Sequence, residues 1–223
     1  MNIRASVTSV LAVGFVLSVA PSSFAATAVA GVEPTPPDAT GQEESGGART
    51  HDGFYMHAGA GLGYYSLSSS GGVYDEELSG LTKSFAFLIG GSVIPGLAVG
   101  GGFTLDHASS PTYTIDGQEL ELADVSQMLL SIGPFVDFYP DPQGGLHFQG
   151  MVGWGGVETS SSGNVGGSDP TGVVFTLGGG YNFFFADEWS VGALARLSYA
   201  SLSLNDTSYS ALSPALLVDV TFQ

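Results

Sequence analysis

The chain has 223 residues, of which 43% are hydrophobic and only 11% charged, with 34 glycines and no cysteine. A soluble domain of this length carries about 25% charged residues, so much of this surface faces something other than water. The missing cysteines exclude disulfides, thiolate metal sites and a lipid anchor on an N-terminal cysteine, and a formal net charge of −17 excludes a role on nucleic-acid phosphates.

Asn2-Ile3-Arg4 is a short positive start, residues 7–19 are an apolar run, and Ser23-Phe24-Ala25 is a small-x-small cleavage pattern. Residues 1–25 are therefore expected to be an export signal. The apolar run is shorter than the roughly 20 residues of a spanning helix, and Pro21 follows it, which disfavours an anchor. Residues 26–52 mix proline, glycine and acids, as in Glu33-Pro34-Thr35-Pro36-Pro37-Asp38, and offer almost nothing to bury. A flexible acidic leader is expected there.

From His51 the apolar period becomes two. In the first strand Phe54, Met56, Ala58, Ala60, Leu62 and Tyr64 oppose Tyr55, His57, Gly59, Gly61, Gly63 and Tyr65. The second sets Leu81, Phe85, Phe87, Ile89 and Val93 against Thr82, Ser84, Ala86, Gly90 and Ser92, and residues 94–96 turn the chain. The third opposes Leu97, Val99, Phe103 and Leu105 to Ala98, Gly100, Gly102, Thr104 and Asp106. The fourth opposes Met128, Leu130, Ile132, Val136 and Phe138 to Gln127, Ser131, Gly133, Asp137 and Tyr139, before a turn at 140–145. The fifth sets Leu146, Phe148, Val152 and Trp154 against His147, Gln149, Gly153 and Gly155. The sixth sets Val173, Phe175, Leu177, Tyr181, Phe183 and Phe185 against Thr176, Gly178, Gly180 and Asn182, and 186–188 is the third tight turn. In the seventh Trp189, Val191, Ala193, Ala195, Leu197 and Tyr199 oppose Ser190, Gly192, Arg196 and Ser198. The eighth points Leu212, Pro214, Leu216, Val218, Val220 and Phe222 one way, and Ser213, Ala215, Leu217, Asp219 and Thr221 the other.

Between the tight turns the connections at 68–80, 107–124, 158–171 and 200–208 read as long and polar. The expected fold is all-β: an eight-stranded antiparallel up-and-down transmembrane β-barrel over residues 53–223, apolar face outward, with short periplasmic turns and long extracellular loops. A soluble barrel with the apolar set inward would crowd Phe, Trp and Leu into a narrow lumen and show water a Gly, Ser and Thr face. Parity pairs Asp137 with His147 and Asn182 with Ser190 across the second and third turns. Pro134 and Pro214 each remove a ladder donor inside a strand, so a bulge or an interrupted ladder is expected at both. Phe54, Phe138, Phe183, Phe185, Trp189 and Phe222 would form the periplasmic aromatic girdle, and Tyr64, Trp154 and Tyr199 the outer one. Lys83 is the one charge in the lipid-facing set, near the outer end where its stem reaches headgroups.

The eight alternating segments, the alternation of turns and loops, and the closing Leu216-Leu217-Val218-Asp219-Val220-Thr221-Phe222-Gln223 resemble the small outer-membrane β-barrel proteins of the OmpA/OmpX kind. The resemblance implies insertion in the cell outer membrane, surface exposure and sometimes adhesion or transport, with no single activity carried over; a monomer among lipid and lipopolysaccharide, without cofactor, is expected. It also implies recognition of the last strand by the barrel assembly machinery, with Val218, Val220 and Phe222 as the signal. Such barrels usually finish on Phe, whereas Gln223 follows it here.

Inside, Arg196 is the only base, with Asp106, Asp137 and Asp219 as inward acids; His57 neighbours Asp219 across the closure, and His147 neighbours Asp137. A structural polar network is the expectation, since a buried unpaired charge is costly; an anion or proton path is the sharper reading. A hydrolase would use His107 and Asp106 with Ser109 or Ser110 at the rim, but no spacing fixes nucleophile, base and oxyanion donor together. Gly59-Ala60-Gly61-Leu62-Gly63 and Gly178-Gly179-Gly180 lie inside strands with no helix after them, so they make room rather than hold phosphate. So many inward glycines leave a narrow pore or small apolar pocket open as an alternative. Asp75, Glu76, Glu77, Asp116, Glu119, Glu121 and Asp124 gather acids in two outer loops, a candidate weak calcium or magnesium site bridging to lipopolysaccharide phosphates. The expected role is non-catalytic: structural, or a surface interaction in adhesion or envelope integrity.

Overall fold

A computed structural model describes residues 50, 51, 53–70, 76–115, 118–121, 125–161 and 169–223. The expected export signal and nearly all of the expected leader lie outside these residues. Ten strands follow: β1 (Phe54–Ser70), β2 (Glu76–Ile94), β3 (Leu97–Ser109), β4 (Thr112–Ile115), β5 (Gln118–Glu121), β6 (Val125–Phe138), β7 (Leu146–Ser161), β8 (Thr171–Phe184), β9 (Trp189–Leu204) and β10 (Thr207–Phe222). β10 pairs with both β9 and β1, and β1 with β2, so the sheet closes on itself. β4 extends β3 along β2 beyond Ser110-Pro111, and β5 pairs with β4. The wall therefore has eight antiparallel strands, β1, β2, β3, β6, β7, β8, β9 and β10.

Parity alone decides where each side chain goes. Leu62, Leu81 and Leu216 are 71%, 79% and 70% exposed on the outside, while Leu88, Leu194 and Leu217 are buried within. The same residue type takes opposite environments because successive Cβ atoms point to opposite faces of a strand. An outward band of such residues on every wall strand, over a lumen carrying the polar groups, is the reverse of a soluble barrel.

The connections differ from expectation in three ways. Asp137 stands opposite Gln149, not His147, and Asn182 opposite Gly192, not Ser190, each two residues off with parity kept. At the second turn Tyr139 leaves the ladder and gives its N–H to Gly96 O at 2.7 Å, so the turn takes up more chain. At the third, a three-residue turn sets Phe185 against Trp189, whose carbonyl accepts the Phe185 N–H at 3.1 Å. The expected long connection at 200–208 is instead a two-residue turn, Asn205-Asp206, with Asn205 at φ 53. A left-handed residue is what a tight hairpin needs, and the Ser-Leu alternation keeps the strands going to it.

Neither Pro134 nor Pro214 makes a bulge. Pairing skips from Ile132↔Trp154 to Phe135↔Met151, and from Gly63↔Ala215 to Ser66↔Leu212, with register unchanged. Each proline thus leaves a gap in one ladder while pairing on its other side, Pro134 with Gly101 and Pro214 with Leu197. The bulge falls between Ser92 and Ile94, beside the turn where Gly96 takes φ 80.

Candidate functional site

Among the described residues, the buried charged side chains converge in the lumen, which is built in layers. Along β9 from the loop end, the inward residues are Leu202, Ala200, Ser198, Arg196, Leu194, Gly192 and Ser190. Near the loop end Leu202 packs with Tyr65, Leu67, Leu129, Val157 and Val174. Below them Arg196 reaches across from β9: Nη1 donates to Phe85 O on β2 at 3.0 Å and Nη2 to Asp106 Oδ1 on β3. Asp106 also accepts the Ser84 hydroxyl at 2.6 Å. Both members of the pair are buried, so the guanidinium is a strut between walls that share no ladder. Hydroxyl pairs at Thr104–Ser131 (2.9 Å) and Thr176–Ser198 (3.2 Å) complete this layer.

Below the strut the lumen becomes apolar again, with Leu194 and Leu217 in one cluster and Leu88, Phe135 and Met151 in another. Inward glycines are what make this possible. A Cβ built on Gly178 would stand 3.0 Å from Leu194 Cδ1, one on Gly59 3.2 Å from Leu217 Cδ2, and one on Gly100 2.8 Å from the Phe135 ring. At each of these three glycines a large side chain from a neighbouring or facing strand takes up the room the missing Cβ leaves.

At the turn end lies a second polar group. Asp137 accepts the Tyr55 hydroxyl at 2.6 Å and the His147 Nδ1–H at 3.0 Å. His57 Nδ1 is 3.1 Å from Thr221 Oγ1 and 3.9 Å from Asp219 Oδ1, and Asn182 donates to the same Thr221 oxygen at 3.1 Å. The expected lumen residues fall into two groups with the leucine layer between them: above, Arg196 is bonded to Asp106; below, Asp137 is bonded to His147, His57 is bonded to Thr221, and neither oxygen of the nearby Asp219 has a hydrogen-bond partner.

The residue that sequence reasoning left in the leader closes this floor. His51 gives its N–H to Pro142 O at 2.9 Å and accepts from Gly96 N at 2.8 Å, which ties it to two turns at once. Its ring stacks on Tyr139 at 3.5 Å, and Tyr139 in turn stacks on His147 at 5.0 Å. His51 Nε2–H donates to Gly144 O at 3.0 Å, while Nδ1 meets the side-chain amide of Gln223, which also bonds the Tyr139 hydroxyl at 3.1 Å. As placed, the Gln223 oxygen faces Nδ1 and its NH2 donates to the Tyr139 hydroxyl; since a neutral imidazole has one N–H, turning the amide over, NH2 to Nδ1 and oxygen to the tyrosine, satisfies all the partners. Gln223 is thus turned inward as part of the floor; the only signal was its departure from a final Phe.

Burial pushes the His51 pKa below its ordinary value of about 6.5. The unfolded chain then takes up a proton before the folded one does, so the stability held above that value is lost as pH falls through the folded pKa. Thermal melting followed from pH 8 to pH 4 is expected to show the native chain losing ground to His51→Gln over the lower half of that range. Parallel melting curves for the two proteins would remove His51 from the account.

The remaining candidate residues are not brought together. His107 faces outward and Asp106 inward, so the rim dyad of the hydrolase reading is split across the wall, and Ser109 Oγ is 3.5 Å from His107 Nδ1. Glu77 is exposed and accepts the Ser66 hydroxyl at 2.8 Å. Glu76, Glu119 and Glu121 lie on strands but their side chains are not among those described; Asp75, Asp116 and Asp124 lie outside the described residues. Among the described residues no three acids, histidines or cysteines are arranged to hold a metal ion. Val218, Val220 and Phe222 lie on the outward face of β10, with Phe222 against Trp189 at 5.0 Å and Phe54 at 6.1 Å.

No protein-family model and no curated protein matches the sequence. Among solved structures, the chain is similar to Neisserial surface protein A, with 19% identity and a TM-score of 0.50 over 76% of this chain and 96% of that one. It is also similar to the outer membrane protein OprG from Pseudomonas aeruginosa, with 13% identity and a TM-score of 0.51 over 78% of this chain and 99% of that one. The fold is that of the small eight-stranded outer-membrane barrels.

Proposed function

We propose that the chain is an integral barrel of the outer membrane whose role is structural or a surface interaction made at its loop end, with no catalysis and no conduction through the lumen. The observation that carries this reading is a lumen filled in successive layers, from Leu202 and Tyr65 through the Arg196 strut and the Leu194 layer to the His51 floor, inside an apolar outer wall. A filled interior leaves no path for solute, and what remains to meet a partner is the outer end. Placement in the outer membrane is supported by the exposed apolar band and by the shared fold with a protein described as an outer membrane protein. In this reading β10 is read by the assembly machinery through Val218, Val220 and Phe222, the barrel is a monomer, and divalent cations are weak guests of the outer acids.

Refolded protein is expected to migrate differently on an unheated gel and to shift on boiling, with a β-type circular dichroism spectrum. In planar bilayers its current should match the lipid control, and peptide and lipid substrates should remain uncleaved. Stable conductance steps would favour the pore in place of this reading, and turnover abolished by His107→Gln would favour the hydrolase.

A further inference from the structure

On the outer wall, Lys83 of β2 stands directly opposite His107 of β3. Both are in the outward parity, Lys83 exposed and His107 half-buried, so their Cβ atoms are about 5 Å apart. Among the described residues these are the only outward-facing lysine or arginine and the only outward-facing histidine: Arg196, His51, His57 and His147 are all buried inside. In a chain of net charge −17, the one outward lysine and the one outward histidine among the described residues are cross-strand partners.

Their height adds to the coincidence. Lys83 is eleven residues from Ile94 at the turn end of β2, and at about 3.3 Å per residue on a strand inclined about 40° it lies roughly 28 Å up the wall. An apolar band about 25 Å tall ends there, where outer-leaflet phosphates lie. Below, the outward neighbours are Phe85 and Leu105; one step above, Leu81 and its partner Tyr64 are still exposed on β2 and β1 while Ser109 faces Ser126 on β3 and β6, and a step higher Ser66 faces Ser79. An ammonium set beside the exposed Leu62 and Leu81 is costly unless it meets an anion at the interface. Ser109 Oγ, 3.5 Å from His107 Nδ1, can give that nitrogen its hydroxyl proton, which leaves Nε2–H as a donor even on the neutral ring. Among the described side chains, the acids sharing the outer wall nearby are Glu77, engaged with Ser66, and Glu158, which is reached from His107 through Met128 of β6, two strands away.

We propose that Lys83 and His107 form a binding site for a phosphate group carried by an outer-leaflet lipid headgroup, the ammonium supplying the charge and the imidazole a directed donor. The site rests on the barrel standing in the membrane, so insertion must be measured separately, by flotation with vesicles. The full chain, refolded in phosphate-free maltoside detergent, would be titrated with bisphosphorylated lipid A, with dephosphorylated lipid A and with inorganic phosphate, bound lipid being counted by native mass spectrometry. One phosphorylated lipid should be held per barrel. Lys83→Gln should weaken it about tenfold or more, as loss of one charged hydrogen bond implies. Lys83→Arg should retain it, and dephosphorylated lipid should bind no better than phosphorylated lipid does to the Lys83→Gln/His107→Gln variant. Equal retention by the native chain and that double variant, both folded by gel shift, would overturn the site. Displacement of the lipid by inorganic phosphate at equal concentration would overturn its assignment to a headgroup. Failure of the native chain to float with vesicles would instead count against the membrane reading itself.

Discussion

Replacing Arg196 with leucine is expected to cost the barrel about 3–5 kcal/mol, the usual loss when one member of a buried ion pair is removed. Arg196 and Asp106 are both sealed from solvent, and after the change Asp106 keeps only the Ser84 hydroxyl. The Phe85 carbonyl, bonded by Nη1 at 3.0 Å, loses that side-chain donor too. Leucine fills part of the space, so packing is the smaller part of the loss. Adding Asp106→Leu should therefore recover most of it, because two apolar side chains replace a pair whose desolvation offsets much of its attraction. Urea unfolding in lipid vesicles, run as a double-mutant cycle, measures both numbers. A single-variant loss below about 1 kcal/mol would mean the carboxylate finds water, and would remove the strut from the account of a filled lumen.

Most of the wall was legible because a transmembrane barrel leaves its period in every strand. β9 is the clearest case: Val191, Ala193, Ala195, Leu197 and Tyr199 face out and Leu194, Arg196, Ser198 and Ala200 face in, as alternation requires. Parity survives a slip of two residues, which is why facing was right for Asp137 and Asn182 while their partners were wrong. Turn length, not side-chain pattern, sets register, and turn length depends on tertiary bonds such as Tyr139 N–H to Gly96 that no local signal announces. Arg196 was legible as the lone inward base, but which of the inward acids Asp106, Asp137 and Asp219 it meets was not. His57 and Asp219 were legible as neighbours toward the turn end, whereas the partner of Arg196 depends on strand tilt, which sets which inward residues of non-adjacent strands share a layer. His51 and Gln223 were missed for a related reason: their partners lie 172 residues apart in sequence and meet only once the ring has closed.

Gly178→Leu is expected to destabilise the barrel by roughly 1–3 kcal/mol, as overpacking does. Leu194→Ala alone should cost about 2–5 kcal/mol, from the cavity it opens in the same layer. The two changes together should cost less than their sum, because the new leucine enters the space the old one leaves. At Gly178 the nearest obstacle is a side chain, Leu194 Cδ1 at 3.0 Å. Gly61 is the contrasting case, since a Cβ there would press on the Leu216 carbonyl and no side-chain truncation moves a backbone. Gly61→Leu with Leu217→Ala should accordingly show no recovery, and denaturant unfolding of both cycles separates the two kinds of glycine. The same cycle bears on function. In a water-filled pore a leucine at 178 would displace only solvent, so Gly178→Leu would leave stability untouched and reduce conductance instead. A measured cost relieved by Leu194→Ala is what a lumen packed with side chains requires.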